Sequence, residues 1–392
     1  MNPTCLKLTS VHFLVLSYNS GMNQLRSLFA AFDALLFLPV LGLCLMGLVT
    51  LYSHVGDNLF FNRQIIWIVL AVVAMLLAMI PDYRFMRSGN TIFYLFLGMI
   101  GLLALVLVIG EVTLGAQSRF NFGFFSLQPA DPAKLVLILV LSKYFAKRHE
   151  QIGDFKHILI SGVYAFFIFG LVFVQPDFGS GAILFLLWLG LVLVSGIKLR
   201  HLTVVFVIGT IVFGLLWQFV FFDYQKERIM TFLDPLADIQ GAGYNAYQST
   251  VAIGSGGLMG KGIGYGTQSK LLFLPEYETD FIFAAFAEEW GLIGVILLFL
   301  FFAAVVWRLL YHANQGATNF ERLFASGVAI LFVSHFFIHV GINIGLLPVT
   351  GTTIPFLSYG GSHLITELVA IGMVMGMSRY TTIRYEAKGL LE

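Results

Sequence analysis

The sequence predicts an all-α integral membrane protein with about ten transmembrane helices and one long extracellular loop between helices seven and eight. Two observations predict this class. Hydrophobic residues make up 58% of the 392 residues and charged residues only 11%, against about 25% in ordinary soluble chains. Apolar runs recur at the length of about 20 residues that a membrane-spanning helix needs. Because so few polar residues cannot cover a soluble fold, the composition excludes soluble enzymes and nucleic-acid-binding proteins.

Ten apolar segments are the predicted helices, since backbone groups in lipid must find hydrogen-bond partners within the protein. They lie near residues 30–51, 64–80, 91–110, 133–146, 156–174, 180–197, 202–221, 281–310, 322–346 and 360–378. Residues 1–21 lack a clear signal-peptide cleavage pattern and are interpreted as an N-terminal extension that is loose or not native. Residues 22–392 are expected to form a single membrane domain.

The loops between these segments predict the orientation. With the N-terminus in the cytoplasm, most of the 22 Lys and Arg residues fall on the cytoplasmic side, in agreement with the positive-inside rule. Acidic residues gather on the outer side, together with most of the turn glycines. The sequence therefore predicts a multi-pass protein with both termini in the cytoplasm and its chemistry at the outer face.

Residues 223–279 form the predicted long outer loop, and a loop of this length usually has a function. Glycines are frequent between Gly241 and Gly266 and surround Lys261. Backbone N–H groups in such turns make anion sites, and Gln248 and its aromatic neighbours are not typical of a flexible linker. We interpret Gln248 and Lys261 as substrate-lining residues. A flexible re-entrant hairpin is the alternative.

Three acidic residues follow at the end of this loop, and the sequence predicts that they cluster. Glu276 precedes the eighth helix, and Asp280 and Glu288 would share one face of that helix if Asp280 opened it. Ionisable residues within a membrane helix are costly and usually functional. Helix capping by Thr279 or Asp280 is the alternative, and it accounts for one acid rather than three.

Other polar residues inside the predicted helices are expected to be structural. His335 and His339 share a helix face at a spacing of four, which suits a metal, but no acidic third ligand lies nearby in the sequence. Glu367 is expected to have an interior partner or to be protonated. Asp33 is expected to cap the first helix or to pair locally.

Five motifs, in order along the chain, resemble those of the shape, elongation, division and sporulation (SEDS) family, the FtsW/RodA glycosyltransferases of bacterial cell-wall synthesis. The resemblance extends over residues 22–380. The motifs are Gln175–Ser180, Arg228–Pro235, Gly243–Ser249, Leu274–Phe283, and Gly345–Gly351 leading into Pro355–Ser362.

The resemblance implies a peptidoglycan glycosyltransferase that polymerises lipid II at the outer leaflet of the bacterial inner membrane. It also implies a class B penicillin-binding protein, a transpeptidase, as partner. The Thr-Asp-Phe motif puts the family's catalytic acid at Asp280, and Asp131 and Lys134 match an acid and a Lys of another motif. The expected substrate-binding residues are Lys134, Asp131, Arg228, Gln248, Lys261, Glu276, Asp177 and Arg119.

Four positions depart from the family pattern. Arg119 stands where a tryptophan is usual, which removes an aromatic face that could stack on a sugar. Asp131 replaces a Glu, His339 stands where Asn is usual, and Glu367 replaces a small polar residue. We expect these changes to affect acceptor binding rather than the class of reaction.

In the implied reaction a sugar hydroxyl attacks the anomeric carbon of a second lipid-linked sugar with inversion, and polyprenyl pyrophosphate leaves. Asp280 is the candidate base. Alternatively, it holds a divalent cation, Mg²⁺ or Mn²⁺, that binds the pyrophosphate, and the sequence does not choose between these roles. A lipid II flippase and a non-catalytic scaffold for the transpeptidase are the alternative functions. The motifs are shared by the elongation and division branches of the family.

Overall fold

A computed structural model of the chain describes residues 31–53, 59–113, 116–123, 126–148, 154–219, 221, 223–233, 243–271 and 273–389. The predicted N-terminal extension, residues 1–21, lies outside the described residues. The helices in the described ranges are α1 (Ala34–Tyr52), α2 (Leu59–Ala78), α3 (Arg84–Ser88), α4 (Thr91–Ile109), α5 (Ala130–Ala146), α6 (Phe155–Val174), α7 (Phe178–Val194), α8 (Leu199–Phe219), α9 (Asp223–Leu233), α10 (Tyr244–Gly256), α11 (Thr267–Lys270), α12 (Ile282–Gln315), α13 (Asn319–Asn343) and α14 (Gly361–Gly389).

The predicted fold class is confirmed, because a long helix lies at each of the ten predicted segments. In the described ranges, eight helices are long and apolar enough to cross a membrane. The other two predicted spans are α5 and α7, with 17 residues each. α7 is apolar, whereas α5 carries Asp131, Lys134 and Lys143 and is buried along almost its whole length. A charged helix of this kind is tolerated because neighbouring helices, rather than lipid, surround it.

The helices pack around α5 as a central element. α13 packs against α5 and α7, α14 packs against α2, and α12 packs against both α1 and α13. By contrast, no residue of the membrane-length part of α8 is buried. The apolar core therefore lies among α1, α2, α5, α12, α13 and α14, and α8 lies at the periphery.

A small antiparallel sheet between α4 and α5 was not predicted. It consists of β1 (Glu111–Thr113), β2 (Ala116–Asn121) and β3 (Ser126–Leu127), in the order β1-β2-β3. Glu111 pairs with Arg119 across the first two strands. Strands this short have too few residues to show an alternating pattern in the sequence.

The predicted outer loop contains helical structure, and its glycines allow close packing. α10 packs against α12, and α12 is interrupted at Gly291, which has φ 65° and ψ −168°. Gly260 also has a positive φ, of 78°, and a Cβ there would overlap the carbonyl oxygen of Glu289. A side chain at either glycine would therefore be strained and would separate the two backbones.

Asp33 joins the first helix to the twelfth at the end of the bundle opposite the outer loop. Its Oδ1 accepts the backbone N–H of Leu35 at 3.0 Å, as a helix cap does. Its Oδ2 lies 2.5 Å from Arg308 Nε and 2.7 Å from His312 Nε2. Burial alone would raise the pKa of Asp33, but the hydrogen bonds from His312 and Arg308 outweigh burial and lower that pKa to about 2. The predicted capping role of Asp33 is confirmed, whereas its ion pairs are with residues of α12 far away in the chain rather than local.

Candidate functional site

A cavity of about 360 Å³ opens where α5, α7 and α14 begin. Its walls come from the small sheet, the first half of α2, the beginnings of these three helices, the turn before α12, the middle of α13 and the segment between α13 and α14. The charged residues and histidines among its lining are Arg63, Glu111, Arg119, Asp131, Lys134, Asp280, His335 and His363. The cavity thus gathers charge at one end of an otherwise apolar bundle.

Asp280 lies in the turn before α12 and not on the helix, which begins at Ile282. Asn343, fully buried at the end of α13, holds this turn in place. Its Nδ2 donates to the Asp280 carbonyl at 3.0 Å, and its Oδ1 accepts the N–H of Ala284 at 3.1 Å. Gly351, with φ 71°, packs beside the carboxylate: a Cβ there would lie 3.5 Å from Asp280 Oδ2. The position of Asp280 is therefore set by α13 and by the segment that follows it.

The expectation that Asp280 and Glu288 share a helix face is wrong. Glu288 is fully buried in a separate cluster, in which its Oε1 binds Lys261 Nζ at 2.7 Å and the N–H of Thr267 at 2.8 Å. The N–H groups of Gln268 and Ser269 also donate to this carboxylate. Since the spacing argument assumed one continuous helix from Asp280, it failed where the chain forms a turn. The Glu288 cluster fastens the outer loop to α12.

Asp131 and Lys134 form a buried ion pair in the first turn of α5, with Asp131 Oδ1 3.2 Å from Lys134 Nζ. Asp131 Oδ1 also lies 3.4 Å from His363 Nδ1, and His363 Nε2 lies 2.9 Å from Glu367 Oε1. Glu367 Oε2 accepts the N–H of Phe356 at 3.1 Å. A buried carboxylate is costly in free energy unless it is paired, and both acids of this series of contacts, Asp131 and Glu367, have a partner. The expected interior partner of Glu367 is therefore present.

His335 and His339 each donate an Nδ1–H to a backbone carbonyl, of Thr353 at 3.2 Å and of Thr352 at 2.7 Å. These bonds fix the segment between α13 and α14, which confirms the structural role. The ring of His335 also lies 4.7 Å from that of His363 and borders the cavity. Among the described residues, no group of three or more His, Cys, Asp or Glu side chains is arranged to hold a metal ion.

The structure brings four of the sequence-predicted site residues to the cavity: Asp280, Lys134, Asp131 and Arg119. Asp177 lies behind it. Its Oδ1 accepts the Ser180 N–H at the start of α7, and its Oδ2 accepts from the lining residue Gln128 at 2.8 Å.

The other predicted residues lie elsewhere. Gln248 lies on α10 and Lys261 in the Glu288 cluster, and neither is among the described lining residues. Glu276 is exposed and its carboxylate accepts a hydrogen bond from Thr279 at 3.2 Å. Arg228 falls within α9, and its side chain lies outside the described part of the structure.

Sequence reasoning missed Asn343, Glu111 and His363. His363 stands four residues before Glu367, so the two share a helix face, and that spacing was a usable signal for the pair. Glu111 borders the cavity only because the unpredicted sheet turns it there. For Asn343 no local pattern exists, since its partners are far away in the chain.

Comparisons with known proteins agree with this architecture. The FtsW/RodA/SpoVE family model, described as cell cycle protein, matches residues 25–383. The chain is 36% identical over 347 residues to peptidoglycan glycosyltransferase MrdB of Escherichia coli (strain K12), covering 88% of this chain and 93% of that relative. It is 33% identical over 359 residues to stage V sporulation protein E of Bacillus subtilis (strain 168), covering 89% and 97%.

Two solved structures share the fold. A chain from a peptidoglycan synthase complex that coordinates polymerization and crosslinking matches with a TM-score of 0.77 and 30% identity, covering 89% of this chain and 98% of that chain. The rod shape determining protein RodA of Thermus thermophilus matches with a TM-score of 0.67 and 27% identity, covering 89% and 97%.

Proposed function

This chain belongs to the FtsW/RodA/SpoVE family of cell cycle proteins, and we propose from that premise that it is a peptidoglycan glycosyltransferase that polymerises lipid II. The activity serves cell elongation or division. One observation carries the proposal: the cavity places the Asp280 carboxylate together with the cations Lys134, Arg63 and Arg119 at one end of a membrane bundle. A carboxylate beside cations suits a reaction that takes a proton from a hydroxyl and releases a pyrophosphate.

The reaction that fits this cavity is a single displacement. A sugar hydroxyl of one lipid-linked disaccharide attacks the anomeric carbon of another, the new glycosidic bond forms, and the bond to polyprenyl pyrophosphate breaks with inversion. Asp280 accepts the hydroxyl proton, and the cations stabilise the charge that grows on the pyrophosphate. Asp131 orients Lys134 at 3.2 Å for this task, and Arg119 offers two parallel N–H groups to phosphate oxygens.

A divalent cation, Mg²⁺ or Mn²⁺, is the alternative partner of Asp280. The described residues offer no cluster of three ligands, so a closed protein cage does not fit. Mg²⁺ is commonly held by one or two carboxylates and by substrate phosphates, and Asp280 together with the pyrophosphate would satisfy that pattern. When bound, the cation would neutralise the leaving group.

A transpeptidase partner follows from the pairing of activities in the related synthase complex, in which polymerization and crosslinking are coordinated. We propose that this chain supplies the polymerisation and that a class B penicillin-binding protein supplies the crosslinking. The protein is multi-pass, and the positive-inside bias supports cytoplasmic termini in the bacterial inner membrane, with the cavity at the outer leaflet.

The position of the cavity favours an enzyme over a flippase. A carrier binds its cargo near the middle of the bilayer, where both sides can reach it. Here most of the polar lining comes from helix ends: Asp131 and Lys134 near the start of α5, His363 at the start of α14 and Asp280 before α12. His335 lies further along α13. A polar site gathered mainly at one end of the bundle suits chemistry at one leaflet.

The decisive experiment is polymerisation of purified lipid II by the purified protein, followed on gels. Asp280→Asn should abolish the product while the protein remains folded by circular dichroism. Glu278→Gln, which changes an acid of the same turn outside the described cavity lining, should retain activity. Parallel reactions with and without Mg²⁺, Mn²⁺ and a chelator separate the base role from the cation role, because a base needs no added metal.

The alternatives predict different results. Transport of labelled lipid II across vesicles without any glycan product would support the flippase. Full polymerisation by Asp280→Asn would remove Asp280 from the reaction. Absence of product from the wild-type protein, even with its transpeptidase present, would support the scaffold.

A further inference from the structure

A second cavity lies at the opposite end of α5 from the reaction cavity and shares no residue with it. It has a volume of about 270 Å³ and is bordered by α4, α5 and α6. Three cations line it: Lys143 in the last turn of α5, and Lys147 and Arg148 just after that helix. None of the described lining residues is acidic, so this lining carries positive charge that it does not neutralise itself.

The three cations have different surroundings. Lys143 Nζ donates to the backbone carbonyls of Met86, at 3.0 Å, and Gly89, which fixes it as part of the wall. Lys147 and Arg148 are exposed, and the Arg148 guanidinium lies 4.8 Å above the ring of Tyr144. Tyr144 holds its own position through a 2.9 Å hydrogen bond with His157 Nδ1. Lys147 and Arg148 are therefore available to a ligand at the mouth of the cavity.

Cations at a helix C-terminus also stabilise the helix dipole, so charge alone does not define a site. The opposite wall adds the second observation. It is apolar and aromatic: on α4 and α6 the rings of Phe96 and Tyr164 lie 5.8 Å apart, and Tyr164 lies 5.9 Å from the ring of Tyr144 on α5. Phe93, which is 54% exposed, continues this wall onto the exposed face of α4. A cationic mouth above an apolar wall fits an amphiphile.

We propose that this cavity binds the phosphate headgroup of an anionic glycerophospholipid, with Lys147 and Arg148 at the phosphate and an acyl chain along α4 beside Phe93. Basic pockets between transmembrane helices bind anionic headgroups in this way, and Arg contacts phosphate through two N–H groups. A free phosphate ion would make no use of the aromatic wall. The bound lipid would join α4, α5 and α6 at the end of α5 whose other end carries Asp131 and Lys134.

The test uses the full-length protein and native mass spectrometry with phosphatidylglycerol and phosphatidylcholine of identical acyl chains. Wild-type protein should retain phosphatidylglycerol preferentially. The double variant Lys147→Gln/Arg148→Gln should bind it about 30-fold more weakly, because it removes two basic residues that each contribute about 1 kcal/mol near a membrane surface. The matched control is Lys198→Gln/Arg200→Gln, which removes two exposed cations at the same end of the bundle and should bind normally.

Two further arms identify the source of the phosphate. Millimolar inorganic phosphate should not displace the lipid, and Phe93→Ala should weaken binding of the long-chain lipid. Equal loss in both double variants would overturn the proposal, because it would indicate general surface charge. Displacement of the lipid by inorganic phosphate, or equal retention of the two phospholipids by wild-type protein, would overturn it as well.

Discussion

Replacement of Asn343 by Ala should impair polymerisation although Asn343 is not among the residues that line the cavity. Its side chain connects α13 to both sides of the Asp280 turn, through the carbonyl of Asp280 and the N–H of Ala284. Asn343 is thus a positioning residue for the candidate catalytic carboxylate. Without its amide, the turn would keep its hydrogen bonds from Ser358 Oγ to the Thr279 carbonyl and from the Tyr359 N–H to the Glu278 carbonyl, but it would lose the two bonds that join it to the end of α13.

The expected magnitude follows from the groups that lose their partners. Asn343 is fully buried, so the Asp280 carbonyl and the Ala284 N–H would each lose this hydrogen bond, at about 1–3 kcal/mol per group. The turn would shift to recover hydrogen bonds, and a displacement of about 1 Å can lower a rate about 100-fold. We therefore expect the rate at saturating lipid II to fall about 100-fold, with a smaller change in KM.

The assay measures initial polymerisation rates over a range of lipid II concentrations, at a temperature where circular dichroism shows the variant to be folded. Ser249→Ala is the matched control. Ser249 Oγ donates to the backbone carbonyl of Asn343 at 2.8 Å and, more weakly, to Asn343 Oδ1 at 3.4 Å. Its loss leaves both hydrogen bonds from the Asn343 amide to the turn in place, so stability should fall by about 1 kcal/mol and the rate should stay nearly unchanged. A wild-type rate in a folded Asn343→Ala protein, or equal rate losses in both variants, would refute the positioning role.

Three other predictions concern stability at places outside the described lining of the cavity. Glu288→Gln should lower the thermal unfolding temperature, because Glu288 is fully buried and its charge is paired with the partly exposed Lys261; the loss should lie below the roughly 3–5 kcal/mol of a fully buried pair. Glu289→Gln should have little effect, since the described contacts of Glu289 include no cation. An equal decrease of Tm in the Glu288→Gln and Glu289→Gln variants would contradict this. Gly260→Ala should also lower the Tm, by overlap with α12; an unchanged Tm would show that the loop can move away. The lowered pKa of Asp33 means that its ionised form stabilises the fold above about pH 4, and that this contribution is lost as the pH falls towards 2. Asp33→Asn should abolish that dependence, whereas Asp82→Asn, at an exposed pair with Arg84, should leave it intact.

The spans could be predicted from the sequence because lipid allows few solutions. A run of apolar residues in a bilayer must satisfy its own backbone, and a helix does so locally. Even α5, with Asp131 and Lys134 at its start, was found at its predicted place because Leu135–Leu141 is an unbroken apolar run. Eight of the ten predicted helix starts differ only slightly from the observed starts, which reflects the usual uncertainty of helix ends.

The geometry of the site could be predicted only in part, because it depends on contacts between distant segments. Asp280 was identified through its motif, but its turn depends on Asn343, 63 residues later. The Gly-rich segment was expected to line the substrate site. Instead, Gly260 and Gly291 allow α10 and α12 to approach closely, a function of glycine that the sequence alone cannot distinguish from flexibility.

The departures from the family pattern are not scattered over the molecule, and their grouping bears on the scaffold alternative. Arg119 and Asp131 both border the cavity, and Glu367 reaches Asp131 through His363. Asp131, which is shorter than the Glu of the family pattern, thus lies 3.4 Å from His363, and His363 in turn contacts a second acid, Glu367. Each buried charge is costly and would be lost readily from a bundle that only positions a partner. The paired side chains of Asp131, Lys134, His363 and Glu367 are better explained by a cavity whose electrostatics are used. On the proposed function, Arg119 would add a cation for the pyrophosphate where the family pattern has an aromatic ring.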